Sequence, residues 1–137
     1  MIRPKIAKQS KTDDQKAYDV ATLRDNDTCQ RCLRDCGPTA RDHRRNRSQG
    51  GLTTVANLQI MGLRCHIFVT EHPAEAIAEG WAVPGFADPL VWPARRWFTG
   101  DYGIRTLGWV LLDDAGHVLE ITEDEALRRM EGMMPDG

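Results

Sequence analysis

Cys29-x-x-Cys32 sets two thiols a tight turn apart, the spacing at which a knuckle grips one tetrahedral metal ion. Such a site takes four ligands, and the second pair normally comes from farther along the chain. Cys65 lies far enough away to close it, with Cys36 as the candidate fourth ligand. The same residue types also suit a redox dithiol, or thiols buried as small apolar groups. The opening residues lack the apolar stretch of a signal peptide, so a reducing, cytoplasmic setting is expected. In that setting cysteines read as metal ligands rather than disulfides.

Asp42-His43 stands inside a basic run of Arg41, Arg44, Arg45 and Arg47. Neighbouring side chains on a strand point to opposite faces, so one of the pair could bind a divalent cation while the other takes a proton from water. An imidazole with a pKa of about 6.5 suits that general-base work. Guanidinium forks match phosphate oxygens, which makes the four arginines candidate DNA contacts. Taken alone, an Asp-His pair reads as a solvated surface pair. What is hard to reach by accident is the order: Cys-x-x-Cys, Asp-His-Arg-Arg, Gly-Gly, Asn57-Leu58, then Cys65-His66 opening a helix.

These stretches resemble a small HNH endonuclease of the zinc-containing ββα-metal type, particularly those encoded by phages of actinobacteria. The matching segments are CQRC (29–32), DHRRNRSQGG (42–51), NLQIM (57–61) and CHIFVTEHPAEAIAEGWAVPG (65–85). ADPLVW (87–92) and GWVLLDDAG (108–116) extend the likeness toward the end of the chain. The resemblance implies that His43 is the general base and that Asp42 and His66 ligate a catalytic Mg²⁺, Mn²⁺ or Ni²⁺. It implies that Asn57 holds the His43 strand and ring, and that Cys29, Cys32, Cys65 and Cys36 bind a structural Zn²⁺. It further implies DNA as the partner, in phage DNA processing alongside a terminase, in the host cytoplasm. One feature departs from the pattern. Such proteins usually carry a cysteine shortly before the Cys-His pair, where this chain has Met61-Gly62-Leu63-Arg64. The zinc site then recruits Cys36, binds weakly or is lost.

The elements that must position these groups are legible in part. Residues 1–12 are polar and basic and are expected to form a flexible arm. A helix is expected from Asp13 to about Asn26, its start favoured by Asp13 and Asp14. Thr28 to Arg47 has too few apolar residues to hold strands unaided, so a zinc-pinned β-hairpin is expected there. Ser48 to Thr54 reads as a loop, and Val55 to Met61 as the lead into a helix over Leu63 to Glu71. A second helix starts at Pro73 and stops at Gly80. Residues 81–103, rich in Pro, Gly and Trp, read as irregular chain over a core. Ile104 to Leu112 and His117 to Ile121 read as a hairpin around Asp113–Gly116. Thr122 and Glu125 form a capping-box signature for a last helix to about Glu131, with 132–137 fraying.

The expected fold is therefore α+β: a small ββα-metal core with a zinc knuckle over 13–86, then a Trp-rich segment, hairpin and helix over 87–137. Hydrophobic residues make up 41% and charged residues 28%, so a modest core is possible. No apolar run approaches the roughly 18 residues of a membrane span. The formal net charge of −2 hides a basic first half (1–64) and an acidic second half (65–137). The functional expectation is a metal-dependent endonuclease hydrolysing DNA phosphodiester bonds. The alternative is a non-catalytic zinc-knuckle DNA-binding module, which needs the same arginines and cysteines but not Asp42, Asn57 and His66 together.

Overall fold

A computed structural model describes residues 10–135. Helix α1 spans Lys11–Arg24, and the Ser10 side chain accepts the Asp13 N–H at its start. The expected arm is thus corrected: residues 10–12 belong to the helix and its cap, while residues 1–9 lie outside the described part. Alanines Ala17 and Ala21 let α1 sit close to Val55 and Leu58.

Strands β1 (Thr39–His43) and β2 (Leu58–Gly62) pair antiparallel, with Asp42 opposite Gln59 and His43 opposite Leu58. The expectation of a hairpin wholly inside 28–47 is wrong. That segment supplies one strand, and its partner follows the 44–57 loop. All five residues of β2 are buried, so it shows no alternation, and a short apolar run of this kind cannot be told from helix by period. Helix α2 (Leu63–Glu71) leaves β2 directly, and α3 (Pro73–Glu79) follows with Pro73 in its first turn. Gly80 ends α3 at φ +91°, and a Cβ there would meet the Trp109 ring at 2.5 Å. The ββα unit expected around the candidate site is present.

Residues 81–103 are not wholly irregular. Ala94–Thr99 forms β3, which pairs antiparallel with β4 (Arg105–Leu112), and β4 pairs with β5 (Val118–Ile121). The double arginine at 95–96 hides this strand, because Arg96 is buried against a carboxylate donated from afar. The last helix, α4 (Glu123–Met133), is capped by the Thr122 hydroxyl accepting the Glu125 N–H, and it runs through Gly132 rather than fraying there.

One ionic cluster joins these parts. Asp25, just past α1 and 3% exposed, accepts from Arg24 at 2.8 and 2.9 Å and from the Ile60 N–H of β2 at 3.0 Å. Arg96 of β3 donates to the same carboxylate. Burial alone would push the Asp25 carboxyl up, but Arg24, Arg96 and the Ile60 amide together hold it below its ordinary range. Among the described residues, no helix is long and apolar enough to cross a membrane.

Candidate active site

The end of β1 and the first turn of α2 meet at a carboxylate-imidazole pair. Asp42, 6% exposed, places Oδ1 2.9 Å from His66 Nδ1, and the His66 side chain remains 39% exposed. The Asp42 hydrogen bond raises the His66 pKa, with burial opposing it and the carboxylate charge adding to it. Two donors on adjacent vertices of an octahedron, each about 2.1 Å from an ion, lie about 3 Å apart. The pair therefore fits neighbouring ligands of one divalent cation, with the open side of His66 left for water or substrate.

His43 is the next residue along β1. Its Nε2 lies 3.0 Å from the Thr53 hydroxyl of the 44–57 loop. Burial first, then the Arg47 charge, lowers its pKa, against smaller upward pulls from Asp42 and Asp14. A neutral imidazole is the form that can accept a proton. Asp42, His43 and His66 line one cleft of about 380 Å³, together with Arg41, Arg47 and the α3 residues Pro73 and Ile77.

Asn57 stabilises the loop behind His43. It is fully buried, its Oδ1 accepts the Arg45 N–H at 2.8 Å, and its Nδ2 donates to the carbonyls of Arg45 and Leu52. Its own carbonyl accepts the Arg44 N–H at 2.7 Å. One side chain thus ties the exit of β1 to the far arm of the loop.

The four arginines separate. Arg41 and Arg47 are exposed and line the cleft, and the Arg41 guanidinium also leans over the Tyr18 ring at 5.3 Å. Arg45 lines a different pocket with Asp88 and Asp114. Arg44 corrects the expectation of a DNA contact: it is 2% exposed and donates to the carbonyls of Ala56, Pro89 and Trp92. Burial, with the charges of Arg24 and Arg96, pulls its guanidinium down to about 9, still protonated at neutral pH. Sequence cannot distinguish a buried arginine from its exposed neighbours in a basic run.

The cysteine sulfurs converge at the other end of the ribbon. The ligand atoms of Cys29, Cys32, Cys36 and Cys65 all lie within 4.8 Å of one another. A tetrahedron of thiolates around zinc has S–S edges of about 3.8 Å, so the cluster fits one such ion after a small contraction. Gly62 makes room for it, since a Cβ there would overlap the Cys36 sulfur. Gly62 lies in the 61–64 stretch that carries no cysteine, and its missing side chain admits Cys36 instead. Burial pushes the Cys29 thiol up, but N–H groups of Gly62, Cys32 and Arg31, with the Cys65 thiol, outweigh it and hold it at about 7. Burial pushes Cys65 to about 12 despite the Arg31 guanidinium at 3.5 Å, with the Cys29 sulfur adding to the rise.

Gln59 and Thr53 touch the site without being singled out by sequence as its partners. The only available signal for Gln59 is a polar side chain inside the apolar run 58–61. Two further histidines lie outside the cleft. His72 caps the junction of α2 and α3, stacked on Phe68, and exposed His117 bonds to Asp113.

Residues 29–70, which take in β1, the loop, β2 and most of α2, match the family model of HNH endonucleases. The match spans both the sulfur cluster and the Asp42–His66 pair. No curated protein and no solved structure matches this chain.

Proposed function

We propose that the protein is a metal-dependent HNH endonuclease that hydrolyses DNA phosphodiester bonds. The observation that carries this reading is the 2.9 Å contact of Asp42 with His66 in the cleft that His43 also lines. Asp42 and His66 hold a divalent cation, Mg²⁺, Mn²⁺ or Ni²⁺, and the cysteines hold a structural Zn²⁺. The cation, when bound, supplies contact to the scissile phosphate and stabilises charge on the leaving 3′ oxygen. His43 accepts a proton from the attacking water, with Thr53 fixing its ring through Nε2. Asn57 keeps the His43 end of β1 in register with the loop. Arg41 and Arg47 bind flanking phosphates from the exposed rim. The family likeness over the matched segments supports a setting in phage DNA processing or packaging.

The test is plasmid nicking by purified protein across Mg²⁺, Mn²⁺ and Ni²⁺, with a chelator control. Conversion of supercoiled to nicked or linear DNA with at least one ion, stopped by chelator, is the expected outcome. Binding of DNA without cleavage under every ion would instead favour the non-catalytic DNA-binding module.

A further inference from the structure

The geometry points to Gln59 as the residue that aims the Asp42 carboxylate, and so as a positioning residue for a divalent cation held by Asp42 and His66. The inference rests on that pair being the cation ligands proposed above. Asp42 and Gln59 are directly opposite in the β1–β2 ladder, which places their side chains side by side on one face. Both are buried. Gln59 Nε2 donates to the Trp81 carbonyl at 2.5 Å and to Asp42 Oδ2 at 3.3 Å. A side-chain amide nitrogen carries two hydrogens, so both are committed.

A carboxylate can rotate about its last single bond, and each orientation offers a cation a different face. The Gln59 tether takes up Oδ2 and leaves Oδ1 directed at His66 Nδ1, 2.9 Å away. One oxygen then ligates while the other is held by protein. A neutral amide does this without adding positive charge beside the cation, as a lysine or arginine would. The anchor itself is rigid. Trp81 is 4% exposed, its N–H donates to the Ala76 carbonyl, and the Val83 N–H nearby donates to the Arg44 carbonyl at 2.7 Å. Gln59 therefore joins β1, β2 and the chain leaving α3 at the back of the carboxylate.

The experiment titrates the full zinc-loaded chain with Mn²⁺ by calorimetry and compares Gln59→Leu and Gln59→Met with the parent protein. Loss of a hydrogen bond to a ligating group typically weakens metal binding by about 10–100-fold, and that is the loss expected in both variants. A Gln59 with only a structural role would lower the unfolding midpoint and leave Mn²⁺ affinity of the folded protein unchanged, which overturns the inference. Asp42→Ala and His66→Ala separate the two readings. If neither changes Mn²⁺ affinity, the ligand assignment itself fails and this inference falls with it. Should both Gln59 variants fail to fold, NMR of the parent protein decides. The Gln59 amide protons should shift on Mg²⁺ addition and saturate together with the His66 ring, and no shift would contradict the inference.

Discussion

The β1–β2 ribbon is braced at two places by opposite means. At its Gly62 end, four thiols from residues 29, 32, 36 and 65 gather around a site for one metal ion. At its Ile60 side, the Asp25 carboxylate gathers Arg24 and Arg96 in a water-poor interior. The sulfur brace would draw its strength from a bound ion, and it closes entirely within the 29–70 segment that matches the HNH family model. The ionic brace needs no ligand, but all three of its side chains, Arg24, Asp25 and Arg96, come from outside that segment. The 29–70 segment of this chain is thus not self-contained. Its strands depend on a helix before it and a sheet after it, and the two braces should fail under different conditions.

Removing the sulfur brace should have the larger effect. Structural zinc contributes about 10–16 kcal/mol to small domains that fold only around it, and part of that is at stake here because apolar packing also holds the cluster. Cys29→Ser should cost on the order of 5 kcal/mol in urea unfolding, and a chelator should reproduce most of the loss in the parent protein. Metal analysis should find about one tightly bound ion per chain. A metal-free protein with a melting curve unaffected by Cys29→Ser would remove this brace from the account.

The ionic brace comes next. Asp25→Ala leaves two guanidinium groups and the Ile60 amide without their carboxylate, a loss of about 3–5 kcal/mol. Unlike the cysteine variant, it should keep its bound metal and its chelator sensitivity. The pH dependence has a definite sign. Because the folded-state pKa of Asp25 is lowered, its contribution is complete above the ordinary carboxylate range and is lost as pH falls through the lowered value. Stability of the parent protein should therefore drop steeply at acid pH, and Asp25→Ala should flatten that drop. An unchanged acid limb would place the titration elsewhere.

The smallest effects sharpen the contrast between arginines that brace and arginines that face solvent. Arg44→Met strips three carbonyls, two of them in fully buried contacts, of their donor and should cost about 2–3 kcal/mol. Arg47→Ala should change stability by less than about 0.5 kcal/mol, yet lower the salt slope of DNA binding by about 1. Denaturant titration and a salt series of binding curves separate the two. Equal salt slopes for Arg47→Ala and the parent protein would make the exposed rim ordinary solvated surface.

The two braces also differ in how far sequence discloses them. Cys29, Cys32 and Cys65 declare themselves by spacing, and helices α2 and α3 by Pro73 and Gly80, because these signals act within a few residues. The Thr122 cap and the β4–β5 hairpin are legible for the same reason. Asp25 gives no such sign: its partner Arg96 lies 71 positions away and looks like surface charge. Strand β3 is hidden by that same arginine, and β2 by burial on both faces. Asp42, His43 and His66 stand out because several short motifs occur in one order. The sorting of Arg44 inward from Arg41 and Arg47 outward is fixed only by tertiary packing. Gln59 reaches Asp42 only once the strand register is set.

All of this structure bears on one cleft and one proton transfer. The most direct test is the initial rate of plasmid nicking in Mn²⁺ by the parent protein and by His43→Ala, with DNA affinity measured alongside. A positioned general base typically contributes about 10²–10⁴-fold, so His43→Ala should lose that much rate while folding normally and binding DNA nearly as well. If His43→Ala nicks DNA as fast as the parent protein, His43 is not the base, and the assignment of this cleft as an HNH active site is contradicted.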